Sequence, residues 1–169
     1  MSSNDDPIAR VAAGYDKVGD EYFRYYRTDP SEVVTRYEDL FIDQVTAGGN
    51  VLELGCGNGL PTAARLQKKF DVTGVDFSAG QIERARQNVP RPTFIHADMT
   101  KLEFPEATFD GIAALYSVIH VPRELHGDLF RSIYSWLKPG GVFMTTLNST
   151  EERQLPRRLV RRADVLERV

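Results

Sequence analysis

The chain has 169 residues, of which 41% are hydrophobic and 27% charged, as is usual for one globular domain with one core. Its net charge of −3 argues against a general nucleic-acid binder, since such proteins are more often basic. No apolar run reaches the roughly 20 residues of a membrane-spanning helix, and the N-terminus lacks a signal-peptide pattern. A single cysteine excludes an internal disulfide. We therefore expect a cytoplasmic protein that binds neither nucleic acid nor membrane.

The N-terminal part of the sequence is aromatic and predicts helices. Tyr15 and Tyr22 are seven residues apart, a spacing that places both on one face of a helix. A second helix is predicted over about residues 32–45. We expect residues 1–47 to form a helical cap on a core that comprises residues 48–169.

From residue 50 onward, short apolar runs alternate with helical patterns. The predicted strands are residues 51–54, 72–75, 93–95, 111–115 and 142–147. The predicted helices between them are residues 60–70, 78–88 and 123–137. Strands that alternate with helices form a parallel sheet covered on both faces, so an α/β fold is predicted.

A glycine-rich turn, VLELGCGNG at residues 51–59, joins the first strand to its helix. Its glycines, Gly55, Gly57 and Gly59, suit a turn that accepts positive φ and lets a ligand approach the backbone. The helix beyond it presents unpaired N–H groups. The pattern is typical of a nucleotide-binding α/β unit. Cys56 has no Lys, Arg or His beside it and is expected to fill space in the turn.

Acidic side chains stand at the ends of three predicted strands, at Glu53, Asp76 and Asp98. Asp76 is placed to accept hydrogen bonds from a ribose, with Phe77 packing against the base. Asp98 is placed to bind an adenine amine, with Met99 over the ring. Three carboxylates favour a positively charged adenosyl cofactor over a pyrophosphate, but a dinucleotide such as NAD stays open at this point.

Five segments together resemble the small-molecule type of class I S-adenosylmethionine-dependent methyltransferases, in that family's order and spacing. They are ELGCGNG at 53–59, VTGVDFS at 72–78, ADM at 97–99, FDGI at 109–112 and LKPGG at 137–141. The resemblance covers about residues 50–147 and implies a Rossmann-like, doubly wound parallel sheet. It also implies methyl transfer to a small-molecule acceptor, with S-adenosylhomocysteine as the product.

The resemblance assigns roles to particular residues. The glycine turn holds the methionine part of the cofactor, and the residues after strand four, 115–117, face its sulfonium. The implied cofactor-binding set is Glu53, Gly55, Cys56, Gly57, Asn58, Gly59, Asp76, Phe77, Ser78, Asp98, Met99 and Leu115. The implied substrate contacts are Tyr15, Tyr22 and Tyr116.

The implied reaction is an in-line displacement at the sulfonium methyl, for which the protein aligns the reactants and excludes water. His120, after strand four, is the predicted general base for an acceptor that must lose a proton, because imidazole titrates near pH ~6.5. A structural histidine is the alternative. No metal site is predicted, since the histidines and the cysteine lack ligand spacing.

Beyond residue 147 the sequence predicts one helix, with Leu155, Leu159 and Leu166 near one face, and no further strand. The resemblance implies seven strands, so we expect five, in the order 3-2-1-4-5, with the last two missing. Strand five, VFMTTL, would then be an uncovered and uncharged edge, which is a pairing hazard. We expect a second chain, as in a homodimer, or the tail helix to cover it.

Two other functions stay open from the sequence. A chain that lacks the last two strands could bind the cofactor without turning it over, as an inactive subunit or regulatory partner. An NAD-dependent oxidoreductase fits less well, because the turn reads GxGxG and not G-x-G-x-x-G.

Overall fold

A six-stranded sheet organises the chain in a computed structural model, which describes residues 14, 32–147 and 159–161. The strands are β1 (Asn50–Leu54), β2 (Asp71–Asp76), β3 (Thr93–His96), β4 (Phe109–Ala114), β5 (Leu137–Thr145) and β6 (Leu159–Arg161). Their order is β3-β2-β1-β4-β5-β6. Strands β1 to β5 are parallel and β6 runs antiparallel to β5. The predicted α/β fold and the order 3-2-1-4-5 of its parallel strands are confirmed.

Helices cover both faces of the sheet. They are α1 (Glu32–Gln44), α2 (Thr62–Leu66), α3 (Ala79–Asn88) and α4 (His126–Trp136), with 3₁₀ turns at Met99–Lys101, Val118–His120 and Arg123–Leu125. Consecutive strand residues point to opposite faces, and Val51 and Leu52 are both fully buried. Val51 packs with Phe41 of α1, and Leu52 packs with Ile133 of α4. Burial on both faces explains why β1 reads as a continuous apolar run.

Local signals in the sequence place several boundaries. Helix α1 confirms the predicted helix at 32–45, and α2 is shorter than the predicted helix at 60–70. Ser78 caps α3, because its Oγ accepts a hydrogen bond from the Gln81 N–H at 3.1 Å. The LKPGG segment lies inside β5, where the pairing moves from Phe109–Leu137 to Gly111–Val142.

One carboxylate joins three strands at the end of the sheet where they begin. Asp110 Oδ2 in β4 accepts hydrogen bonds from the backbone N–H of Asn50 in β1 and from Lys138 Nζ in β5, both at 2.8 Å. The Asp110 side chain is only 14% exposed. It fixes the amino ends of β1, β4 and β5 relative to one another.

The antiparallel strand β6 corrects the sequence analysis. A helix was predicted through Leu159, but the backbone of Leu159–Arg161 pairs with β5 in the register Met144–Leu159 and Val142–Arg161. The helix prediction is wrong at these three residues, because the β5 edge offers backbone partners that outweigh the local pattern. The expected uncovered edge is also absent along residues 142–144, so no second chain is needed to pair with them.

Two other sequence predictions concern residues that lie outside the described part of the chain. Tyr15 and Tyr22 lie outside them, as does the rest of the predicted tail helix. Among the helices that the structure describes, none combines the length and the apolar character needed to cross a membrane.

Candidate functional site

The glycine turn after β1 has a backbone that side chains would obstruct. Gly55, Gly57 and Gly59 all have positive φ, at 77°, 53° and 79°. At Gly55 the constraint is also steric, because a Cβ there would lie 2.2 Å from the Cβ of Ser117. The turn therefore requires glycine at this position both for its conformation and for its packing.

Asp76, at the end of β2, holds the turn in place. Its carboxylate Oδ2 accepts a hydrogen bond from the Gly57 N–H at 2.8 Å, and Oδ1 accepts one from the Ser78 N–H at 2.9 Å. The residue is 7% exposed. Val75, the residue before it, accepts hydrogen bonds from the N–H groups of Gly55 and Cys56 at 2.7 and 2.9 Å. The end of β2 thus fixes both the start and the middle of the turn.

A cleft that is partly open to solvent lies at the carboxyl ends of β2, β3 and β4. Five predicted site residues line it: Asp76, Phe77, Asp98, Met99 and His120. Open parallel sheets bind their ligands at this edge. The structure therefore brings together the predicted ribose, adenine and proton-accepting residues.

Asp98 both lines the cleft and caps the 3₁₀ turn that follows β3. Its Oδ1 accepts hydrogen bonds from the Thr100 N–H at 2.9 Å and from Thr100 Oγ1 at 2.8 Å. Its Oδ2 lies 3.4 Å from Lys101 Nζ. Met99, the next residue, is buried against the core. These contacts orient the Asp98 carboxylate at the mouth of the cleft.

Eight of the twelve predicted cofactor residues do not line the cleft, among them Cys56, Asn58 and Ser78, whose side chains are engaged in the scaffold. Cys56 packs in a buried cluster with Phe94, and burial raises the pKa of its thiol, which nearby Glu53 raises further. Asn58 Oδ1 accepts a hydrogen bond from the Leu60 N–H at 3.1 Å. Ser78 caps α3. The Cys56 thiol is thus an inert space-filling group, as expected.

Glu53, in the strand that leads into the turn, is a buried ionisable group with a raised pKa. It is 5% exposed, and burial raises its pKa well above the ordinary value, with the carboxylates of Glu38 and Asp76 raising it further. Within the described part of the chain, Glu53 Oε2 has no hydrogen-bond partner. An unpaired buried carboxyl oxygen is costly, so a ligand that offers an N–H or a positive charge would relieve it.

His120 ends the 3₁₀ turn after β4 and faces the cleft. Burial lowers the pKa of its imidazole, and the negative charge of Asp76 partly opposes this effect. The lowered pKa keeps the ring neutral at neutral pH, as a proton acceptor must be.

The first two residues after β4, Leu115 and Tyr116, lie in different surroundings. Leu115 packs against the core cluster on the α1 face and does not line the cleft. Tyr116 is 42% exposed and has φ 54°, and its N–H donates to Thr146 Oγ1 at 2.5 Å. A non-glycine residue with positive φ is uncommon, and such residues concentrate at functional sites.

Ser117 lines the cleft; the family resemblance places it among residues 115–117, next to the sulfonium. It is 7% exposed, and its Oγ donates a hydrogen bond to the Leu54 carbonyl at 2.7 Å. Its role depends on the close approach of Gly55, which the sequence does not reveal.

A sequence profile of a methyltransferase domain matches residues 51–141. The chain belongs to this methyltransferase family. In the described part of the chain, no three His, Cys, Asp or Glu side chains are grouped to hold a metal ion.

Two curated methyltransferases illustrate the similarity. The 27-O-demethylrifamycin SV methyltransferase of Amycolatopsis mediterranei is 37% identical over 120 residues, which are 65% of this chain and 43% of that protein. The sterol 24-C-methyltransferase erg6 of Aspergillus fumigatus is 33% identical over 134 residues, 72% of this chain and 34% of that protein. The chain therefore spans less than half the length of these relatives.

Solved structures show the same fold. An S-adenosylmethionine-dependent methyltransferase from Mesorhizobium loti has a TM-score of 0.59 at 28% identity, covering 67% of this chain and 52% of its own. The magnesium protoporphyrin IX methyltransferase of Synechocystis has a TM-score of 0.71, covering 89% of this chain and 80% of its own. At 20% identity, the second likeness concerns the fold alone.

Proposed function

We propose that this methyltransferase-family chain transfers a methyl group from S-adenosylmethionine to a small-molecule acceptor. The observation that carries the proposal is the position of Asp76. Its carboxylate holds the Gly57 N–H of the glycine turn at 2.8 Å and lines the cleft together with Asp98 and Met99. The names of the two curated relatives, which specify a rifamycin derivative and a sterol, support a small organic acceptor.

The charges at the site fit this cofactor. S-adenosylmethionine carries an ammonium and a sulfonium group, and the turn lies among the carboxylates of Glu53, Asp76 and Glu38. The Glu53 oxygen without a hydrogen-bond partner in the described residues suits a positively charged N–H donor. A pyrophosphate would add negative charge to the same place and raise the electrostatic cost. The residues present therefore fit an adenosyl cofactor better than a dinucleotide.

We assign the parts of the cofactor to residues as follows. The glycine turn, residues 55–59, and Glu53 hold the methionine portion, and Asp76 accepts hydrogen bonds from the ribose hydroxyls. Phe77 and Met99 pack against adenine, whose amine donates to Asp98. The side chains of Cys56, Asn58 and Ser78 support this binding indirectly, through the shape of the turn and the start of α3.

The chemistry divides between the cofactor and the chain. When bound, S-adenosylmethionine supplies an electrophilic methyl group. The chain contributes alignment of the acceptor with that methyl group and exclusion of water from the cleft. An imidazole nitrogen of His120 takes the proton that an O–H or N–H acceptor must lose.

We assign acceptor binding to the outer rim of the cleft. Tyr116, next to the cleft residue Ser117, is proposed as one contact; it is exposed, and its backbone is fixed by Thr146. Tyr15 and Tyr22, which lie outside the described residues, are proposed as further contacts from a helical cap over residues 1–47. The protein is proposed to function in the cytoplasm, which is consistent with its single cysteine.

Calorimetric titration with S-adenosylhomocysteine tests the proposal. Wild-type chain should bind with a Kd near 1 μM, about −8 kcal/mol. Asp76→Asn should weaken binding at least about tenfold, because it removes a charged acceptor. Asp71→Asn is the matched control, since Asp71 is exposed at the other end of the same strand. An absence of wild-type binding, or tighter binding of NADH, would refute the assignment.

A further inference from the structure

A buried ion pair joins α1 to the helix that follows the glycine turn. Glu38 in α1 is 1% exposed. Its Oε1 accepts a hydrogen bond from Thr62 Oγ1 at 2.7 Å, and its Oε2 pairs with the guanidinium of Arg65. Thr62 and Arg65 both belong to α2, so a single carboxylate of α1 holds that helix at two points. Asp39 contacts Arg65 as well, at 2.6 Å, but its side chain is 60% exposed.

Helix α2 depends on such outside contacts. It has only five residues, and the position before it, Pro61, provides no side-chain cap. Helices of this length are not stable on their own. Its connection to the turn is direct, because the Ala64 N–H donates to the carbonyl of Gly59 at 3.1 Å. A displacement of α2 would therefore move the last residue of the glycine turn.

The same carboxylate acts on the turn electrostatically. Three titratable groups interact with Glu53: Glu38 on α1, Asp76 at the end of β2, and Cys56 in the turn. Arg65 on α2 pairs with Glu38. Burial raises the pKa of Glu53, and Glu38 is the next largest cause. Helix α1 thus influences both the position of the turn and the charge of its acidic residue.

We propose that Glu38 is a positioning residue of the cofactor site, which makes helix α1 part of the machinery that binds S-adenosylmethionine. Glu38 does not touch the cofactor. It acts through Thr62 and Arg65, which carry the turn, and through Glu53. This inference rests on the proposed function.

Calorimetric titration of purified full-length variants with S-adenosylmethionine tests the inference. At a pH at which Glu53 is ionised in both proteins, Glu38→Gln should weaken binding by about tenfold or more, because it removes the buried carboxylate that pairs with Arg65 and holds α2 against the turn. Asp39→Asn is the matched control. It also removes a negative charge that contacts the Arg65 guanidinium, but the side chain of Asp39 is exposed. It should change the Kd less than about twofold.

The pH dependence separates positioning from simple loss of stability. A cationic ligand favours ionised Glu53, so wild-type affinity should rise as pH increases through the pKa of Glu53. Loss of the Glu38 charge lowers that pKa, so the midpoint for Glu38→Gln should move to lower pH. A variant that is only less stable would keep the wild-type midpoint, and that result would contradict the electrostatic part of the inference.

A second variant covers the case in which Glu38→Gln does not fold. Thr62→Val removes the hydroxyl donor to Glu38 and keeps every charge, so it should weaken binding without moving the pH midpoint. Unchanged affinity in that variant, or equal Kd values for Glu38→Gln and Asp39→Asn, would overturn the inference while leaving the proposed function intact. A wild-type chain that binds no S-adenosylmethionine would overturn both.

Discussion

The Cβ of Ser117 lies 2.2 Å from the point where a Cβ on Gly55 would stand. The loop after β4 therefore closes directly onto the turn after β1. Because the Ser117 Oγ also donates to the Leu54 carbonyl, the contact is held by a buried hydrogen bond at 2.7 Å. Ser117, which lines the cleft, is thereby fixed against the glycine turn.

Gly55→Ala should therefore be severely destabilising. Position 55 has positive φ, and an added Cβ would clash with the Cβ of Ser117. We therefore expect a loss of about 3 kcal/mol or more in unfolding free energy, together with loss of cofactor binding. Gly48→Ala is the control, because Gly48 has φ 73° but nothing within 4 Å of the added Cβ. It should cost only about 1–2 kcal/mol. Urea denaturation measures both, and equal losses would show that the Ser117 contact is unimportant.

His120→Ala should lower kcat about 10²–10⁴-fold for an acceptor that loses a proton, with little change in the KM for S-adenosylmethionine. His126→Ala is the control, since His126 bonds the Val121 carbonyl and does not line the cleft. Steady-state kinetics with the first acceptor found would check this. Recovery of activity by added imidazole would support a proton-accepting role, whereas wild-type kcat in the variant would exclude one.

The pH profile gives an independent check on His120. The base must be neutral, and burial lowers the pKa of His120 below its ordinary value of about 6.5. Activity should therefore persist below pH 6.5 and fall only as the pH drops through the lowered pKa. Asp76 raises this pKa, so neutralising Asp76 should move the acid limb to still lower pH. A limb above pH 7 would contradict the assignment.

Glu53→Gln should stabilise the free protein and impair its function. A carboxyl group whose pKa is raised on folding binds more protons in the folded state, so stability falls as pH rises from the unfolded pKa, about 4.3, through the folded one. The variant should lose this pH dependence and melt at a higher temperature than wild type above that window. It should also bind S-adenosylmethionine more weakly. Thermal melts at several pH values would measure the pH dependence of stability, with the exposed-site variant Asp71→Asn as control. Identical dependence of the melting temperature on pH for Glu53→Gln and wild type would contradict the raised pKa.

Val160→Pro should uncover the edge of β5. Val160 pairs with Phe143 at the centre of β6, and proline fixes φ and removes the backbone N–H. We expect concentration-dependent association, because the exposed stretch at 142–144 is apolar. Size-exclusion chromatography at several concentrations would detect it. Val160→Ala retains the N–H and should elute as wild type does; identical elution of the proline variant would show that β6 does not protect the edge.

The sequence predicts what depends on local pattern. The parallel strands, the Ser78 cap and the gathering of Asp76, Asp98 and His120 at one edge follow from periodicity, capping residues and the geometry of parallel sheets. Strand β6 does not follow, because three residues in an arginine-rich tail become a strand only through pairing with β5.

The contacts of Ser117 and Glu38 escape prediction for a related reason. The resemblance places Ser117 near the sulfonium and Glu38 belongs to no motif, but each makes its contact with a partner far away in the chain. Ser117 meets Gly55 and Leu54, whereas Glu38 meets α2. Such contacts exist only once the sheet and helices have assembled.

The Asp110 carboxylate has a consequence for how this chain tolerates change. It ties β1, β4 and β5 together at the end of the sheet that faces away from the cleft. Strand alignment is therefore secured by residues that meet neither cofactor nor acceptor. Variation around the cleft can alter which molecules it binds while Asn50, Asp110 and Lys138 preserve the frame, and damage to those three should appear as lost stability with unchanged relative affinities for ligands of the cleft.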